Sequence, residues 1–174
     1  MQKIAKPTSD IPQFYRDYID KVPGDENLIK NLIDILIETE QLILFLPEEK
    51  LLHRYDTGKW SIKEIINHLS DCERIIIYRA LRIARSDKTD LPGFDEDLFA
   101  AHTHADTRTA AALLTELRAC RMSSISLIET LDDEALNRTG TANGYPLSVR
   151  LLVNHLYGHH RHHLTIIRER YLKP

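Results

Sequence analysis

Apolar residues recur at intervals of three and four in four long stretches of the chain. Between Asn27 and Leu46 they fall at Leu28, Leu32, Ile35, Leu36, Leu42, Ile43 and Leu46, with Thr39 in the same row. Ser61–Arg85 repeats the pattern with Ile62, Ile65, Ile66, Leu69, Cys72, Ile76, Ala80 and Ile83. Thr107–Leu131 carries it through Leu113, Leu114, Leu117, Cys120, Ile125, Leu127, Ile128 and Leu131. The last stretch, Ser148–Tyr171, does so through Val149, Leu152, Val153, Leu156, Leu164, Ile167 and Tyr171. This spacing places one apolar stripe on each helix. No stretch alternates convincingly as a strand would. The pattern predicts an all-α four-helix bundle.

Local chemistry marks the ends. Ser61-Ile-Lys-Glu64 is a capping box, in which the serine oxygen accepts a helix-start N–H and the glutamate reaches back. Pro47 stops the first helix because proline cannot extend the ladder. Asn143-Gly144 and Pro146 predict a turn, with Ser148 as the next N-cap. Residues 1–25, punctuated by Pro7, Pro12 and Pro23, read as an N-terminal arm holding a short helix over Pro12–Lys21. Residues 26–174 then form a single bundle domain. The linker Ser86–Asp106 far exceeds the usual 2–8 residues between antiparallel helices. It suits a crossover running the length of the bundle. A weak repeat fits two helix pairs joined by that crossover. Ser61-Ile-Lys-Glu-Ile-Ile-Asn-His-Leu69 parallels Ser148-Val-Arg-Leu-Leu-Val-Asn-His-Leu156, at an offset of 87 positions.

Composition narrows the function. Among 174 residues, 23 Lys+Arg stand against 26 Asp+Glu, and no basic block occurs. This balance argues against nucleic-acid or anionic-membrane binding, which need concentrated positive charge. The longest apolar runs, Leu42–Leu46 and Ile75–Tyr78, fall far short of the ~20 residues that span a bilayer. With no signal-like N-terminus, the expectation is a soluble, cytoplasmic protein. Cys72 and Cys120 cannot form a disulfide framework, and their apolar helix faces suggest buried, inert thiols. Arg118 and Arg121 could neutralise a substrate carboxylate, although exposed helical arginines are commonplace.

The histidines stand out. Five of the nine lie within His155–His163. His159 and His163 are one turn apart on one helix face, about 40° from each other, so both imidazoles can reach one ion. His155 continues the row, His162 lies toward the polar side, and wheel geometry alone leaves His160 open. His68, on the apolar edge of the second helix, is the natural third ligand. Three neutral imidazoles with an open position would make a bound water or thiol acidic. Zinc and nickel suit imidazole equally. Core-packed or solvated histidines are the alternative, and for His53, His102 and His104 the better one.

Two stretches carry a family resemblance: Trp60-Ser-Ile-Lys-Glu-Ile-Ile-Asn-His68-Leu-Ser-Asp-Cys-Glu73 and Gly158-His159-His-Arg-His-His163-Leu-Thr-Ile-Ile-Arg-Glu-Arg-Tyr171. Together with Leu91-Pro-Gly-Phe-Asp-Glu-Asp-Leu-Phe99, they resemble the DinB-like superfamily, and in particular its YfiT-like metal-binding branch. That resemblance implies an up-down-down-up bundle, frequent homodimers, and a metal triad on His68, His159 and His163. It sets His162 beside the ligands as a supporting residue, while the internal repeat, which pairs His155 with His68, makes His155 a candidate to ligate or support the metal. The resemblance also implies a metal-dependent hydrolase, or a transferase acting on a small-molecule substrate with a low-molecular-weight thiol. The competing class is a non-catalytic dimeric module that binds metal or a small ligand.

Overall fold

The computed structural model describes residues 3–173. Four long helices carry the fold: α2 (Leu28–Ile43), α4 (Ile62–Ala84), α6 (Ala110–Ile128) and α8 (Val149–Ile166). Shorter helices lie between and before them: α1 (Gln13–Ile19), α3 (Glu48–Leu52), α5 (Glu96–Ala101) and α7 (Asp133–Asn137). The chain is an all-α four-helix bundle in which α4 and α2 each pack against both α6 and α8. The caps do what their chemistry requires. Glu64 N–H donates to Ser61 Oγ at 3.1 Å, and Ser61 N–H donates to Glu64 Oε2 at 2.7 Å. Ser148 Oγ likewise accepts from Leu151 N–H at 3.1 Å. Beyond Ile166 the last helix widens into one π turn, Ile167–Tyr171. Among the described residues no helix is long and apolar enough to cross a membrane.

The segment before α8 differs from the helix-only pattern. Thr139–Ala142 (β1) and Tyr145–Ser148 (β2) form an antiparallel hairpin. Asn143 and Gly144 turn it with φ of 53° and 76°. Asn-Gly tolerates two left-handed residues in succession, which matches the twist of the flanking strands. The strands are too short and too polar at alternate positions for apolar periodicity to reveal them. The crossover is held to this hairpin by its backbone: Leu91 N–H donates to Thr141 O at 3.0 Å, and Asn143 N–H donates to Leu91 O at 2.9 Å.

Ile4, Tyr15, Ile19 and Val22 lie buried in the same apolar cluster as Leu28, Leu32, Ile76 and Leu152. Helix α1 packs along α8, and Gly158 is the reason it can come so close. A Cβ at Gly158 would lie 2.1 Å from the carbonyl oxygen of Tyr18.

A polar network crosses the bundle interior. Arg121, 1% exposed, donates to both carboxylate oxygens of Glu73 and to the carbonyl of Leu32 at 3.0 Å. It also reaches His160 Nδ1 at 3.1 Å. Because Nδ1 accepts there, the His160 proton sits on Nε2 and donates to Thr39 Oγ1 at 2.8 Å. The Thr39 hydroxyl in turn donates a hydrogen bond to Ile35 O at 2.8 Å. One chain of hydrogen bonds thus joins α2, α4, α6 and α8. Removing either member of the Arg121–Glu73 pair would strand a buried charge, at a cost of about 3–5 kcal/mol. Arg121 is therefore a structural cation and unavailable to a substrate carboxylate, contrary to its reading as a surface arginine. Arg118 is matched as well, by Glu40 at 2.8 Å.

Candidate metal centre

The Ser61 cap starts α4 so that His68 emerges two turns later, facing α8. There the Nε2 atoms of His68 and His163 each lie 3.1 Å from His159 Nε2. The rings of His68 and His163 are 4.8 Å apart between centroids. Trp60 covers this group, 4.6 Å from the His68 ring and nearly parallel to the His163 ring at 6.4 Å. Tyr18 of α1 closes the other side, 5.7 Å from the His159 ring.

Burial sets the charge state. It lowers the His68 pKa to about 4. Burial also carries His159 and His163 well below the ordinary imidazole range, with repulsion from neighbouring imidazoles, His68 among them in both cases, adding to the effect. All three are neutral at pH 7, with lone pairs available for coordination. The donor set suits an ion. His159 Nε2 carries either one N–H or one lone pair, so it cannot satisfy both His68 Nε2 and His163 Nε2, each 3.1 Å away. Ligands at about 2.0–2.1 Å around a tetrahedral zinc stand about 3.3 Å apart. The residues present therefore fit a divalent metal.

The other histidines are distributed differently. His155 stands on the same face one turn earlier, its ring 5.5 Å from His159 and edge-on to Tyr15 and Tyr18. Its Nδ1 is buried without a hydrogen-bond partner. His162 meets Tyr18 edge-on at 5.2 Å. His160 belongs to the Arg121 network, while His53, His102 and His104 are exposed.

Cys72 is the residue whose position the sequence pattern undervalues. It is buried, as expected, but its Sγ sits 3.5 Å from His68 Nε2. With His68 and His159 it forms a group of potential ligand atoms all within 4.8 Å of one another. Burial raises its thiol pKa, so without a metal it stays protonated. Its spacing of four from His68 is the signal that could have placed it. The histidine rings, Cys72 and Tyr18 line a cavity of about 300 Å³ that continues along α4 past Ile76 to Arg79.

The family model of the DinB superfamily matches residues 37–167, which contain His68, His159 and His163. The chain belongs to the DinB superfamily. A curated relative from Oceanobacillus iheyensis bears the name "putative metal-dependent hydrolase". It is 28% identical over 128 residues, covering 71% of each chain. Among solved structures, YfiT from Bacillus subtilis superposes with a TM-score of 0.75 at 18% identity, over 95% of this chain and 91% of that one. YfiT is described as a probable metal-dependent hydrolase with an unusual four-helix bundle topology, and at this identity the likeness establishes the fold. The DinB assignment agrees with the bundle and with the capped helix that carries His68.

Proposed function

We propose that this DinB-superfamily protein is a metal-dependent hydrolase acting on a small molecule, with His68, His159 and His163 holding a divalent ion, zinc or nickel. The approach of His68 Nε2 and His163 Nε2 to within 3.1 Å of His159 Nε2, with all three residues lining one cavity, carries the reading. The names of the O. iheyensis and B. subtilis relatives support it. When bound, such an ion would polarise a substrate oxygen and lower the pKa of a coordinated water or small thiol. The protein's own part is preparation. Packing keeps the imidazoles unprotonated, Trp60 and Tyr18 shield the site from bulk water, and the long cavity orients the substrate against the histidines.

The test is metal content by elemental mass spectrometry on untagged protein. Wild type should carry close to one ion per chain, and His68→Ala, His159→Ala and His163→Ala should each lose it. Full retention in His68→Ala would overturn the triad. Loaded protein is then screened against ester, amide and thiol-transfer substrates.

One observation favours a second reading. Cys72 Sγ groups with His68 and His159, the ligand atoms all within 4.8 Å of one another, and a set closed by a thiolate is the mark of a structural site. In that case cobalt-loaded protein shows a thiolate charge-transfer band, lost in Cys72→Ser, and no turnover.

A further inference from the structure

Arg79 follows His68 by eleven residues on α4, so the two side chains leave the helix within about 20° of each other and about 16 Å apart along the axis. Cys72 and Ile76 occupy the turns between them, and all four line the same cavity. The residue is only 5% exposed. Its Nη2 donates to the Pro92 carbonyl at 2.6 Å, and its guanidinium carbon lies 6.0 Å from the centre of the Phe94 ring. Beyond these contacts it has no hydrogen-bonded or ion-paired partner among the described residues. This contrasts sharply with Arg121, the other deeply buried guanidinium, whose charge Glu73 neutralises. A guanidinium has five N–H donors in a planar fork, and Arg79, which lines the cavity, commits only one of them, to Pro92. A buried cation without a counter-charge is costly unless something else supplies the anion.

The cavity supplies a place for one. Glu96, on the exposed first turn of α5, borders it without pairing to Arg79 among the described residues. One guanidinium with a carboxylate nearby favours a monoanion over a dianionic phosphate. Aromatic rings from Tyr15, Tyr18 and Phe94 line the space between the two ends. The geometry points to Arg79 as the anion subsite of this cavity: the substrate is a small monocarboxylate whose carboxylate pairs with Arg79. An apolar body then lies along Ile76 and the aromatic rings, and its reacting bond sits at the histidine end. The position of the reacting bond rests on the metal reading above; the carboxylate subsite does not.

Trp60 is the sole tryptophan and lines the cavity, so its fluorescence reports occupancy directly. The full chain, stripped with chelator so that no ion can capture a carboxylate, is titrated with 3-phenylpropanoate and with the neutral 3-phenylpropanamide. Wild type should bind the acid about tenfold or more tightly than the amide, as a charge-assisted pair requires. Arg79→Gln should erase the preference, and Arg79→Lys should keep part of it because the charge remains without the fork. Equal affinities in wild type, no binding of either compound, or a preference that survives Arg79→Gln would each overturn the subsite. Circular dichroism checks the variants' fold; should Arg79→Gln not fold, the wild-type ratio and its reduction in Arg79→Lys decide. Metal content is measured separately, so a metal-bearing protein without acid preference refutes only Arg79. An acid-selective protein that takes up no metal refutes only the triad.

Discussion

His159 and His160 are neighbours in sequence with unrelated partners: Nε2 of the first lies 3.1 Å from His68 Nε2, and Nε2 of the second lies 2.8 Å from Thr39 Oγ1. A turn of about 100° around α8 separates a potential ligand from a strut of the interior. His160→Gln should therefore keep its full complement of metal while losing about 1–3 kcal/mol of stability, because Arg121 and Thr39 lose their partner. Elemental analysis and urea denaturation of the same preparation check both halves. Loss of metal in His160→Gln would mean that the two sides of α8 are not independent.

Acid should destabilise the metal-free protein through its buried imidazoles. Burial, with help from the Arg79 charge, lowers the His155 pKa to about 3. Between that value and the unfolded value near 6.5, only the unfolded chain binds the proton, so stability rises with pH across this window and falls on acidification. From pH 7 to pH 5 one such group accounts for about 2 kcal/mol. Denaturation of chelated protein at the two pH values should show at least this difference, and His155→Phe should reduce it by about that amount. An unchanged pH dependence in the variant would show that His155 is not held neutral.

Gly158→Ala tests the contact between α1 and α8. The added methyl would meet the Tyr18 carbonyl at 2.1 Å, so α1 must move away. Overpacking of this kind costs about 1–3 kcal/mol. Proteolysis within residues 3–22 should accelerate, and the Trp60 emission should shift as the cavity loses its Tyr18 wall. A variant with wild-type proteolysis and emission would mean that α1 accommodates the methyl group in place.

Much of this architecture was legible in the sequence, because local rules govern it. The four stripes, the Ser61 capping box and the Ser148 cap are short-range signals, and the helices follow them. The pairing of His159 with His163 follows from a spacing of four, and His68 from its position on an apolar edge. What the sequence pattern left open depends on contacts between distant segments. A helical wheel cannot separate His160 from His159, because the partners that distinguish them come from α2, α4 and α6. Arg121 has the local signature of a surface residue, and only Glu73, 48 positions earlier, makes its burial possible. Cys72 and Arg79 could have been placed by their spacing from His68, yet their significance depends on a cavity completed by α1 and the crossover.

The Leu91 bridge to the hairpin has an architectural consequence. The histidines stand on long helices locked by a shared interior network, whereas Pro92, Phe94 and Glu96 stand on a connection pinned beside that scaffold. The crossover thus supplies one wall of the cavity, while the long helix α4 carries both His68 and Arg79. Changes in the connection would therefore reshape the wall at Phe94 and Glu96 while leaving the histidines on their helices in place.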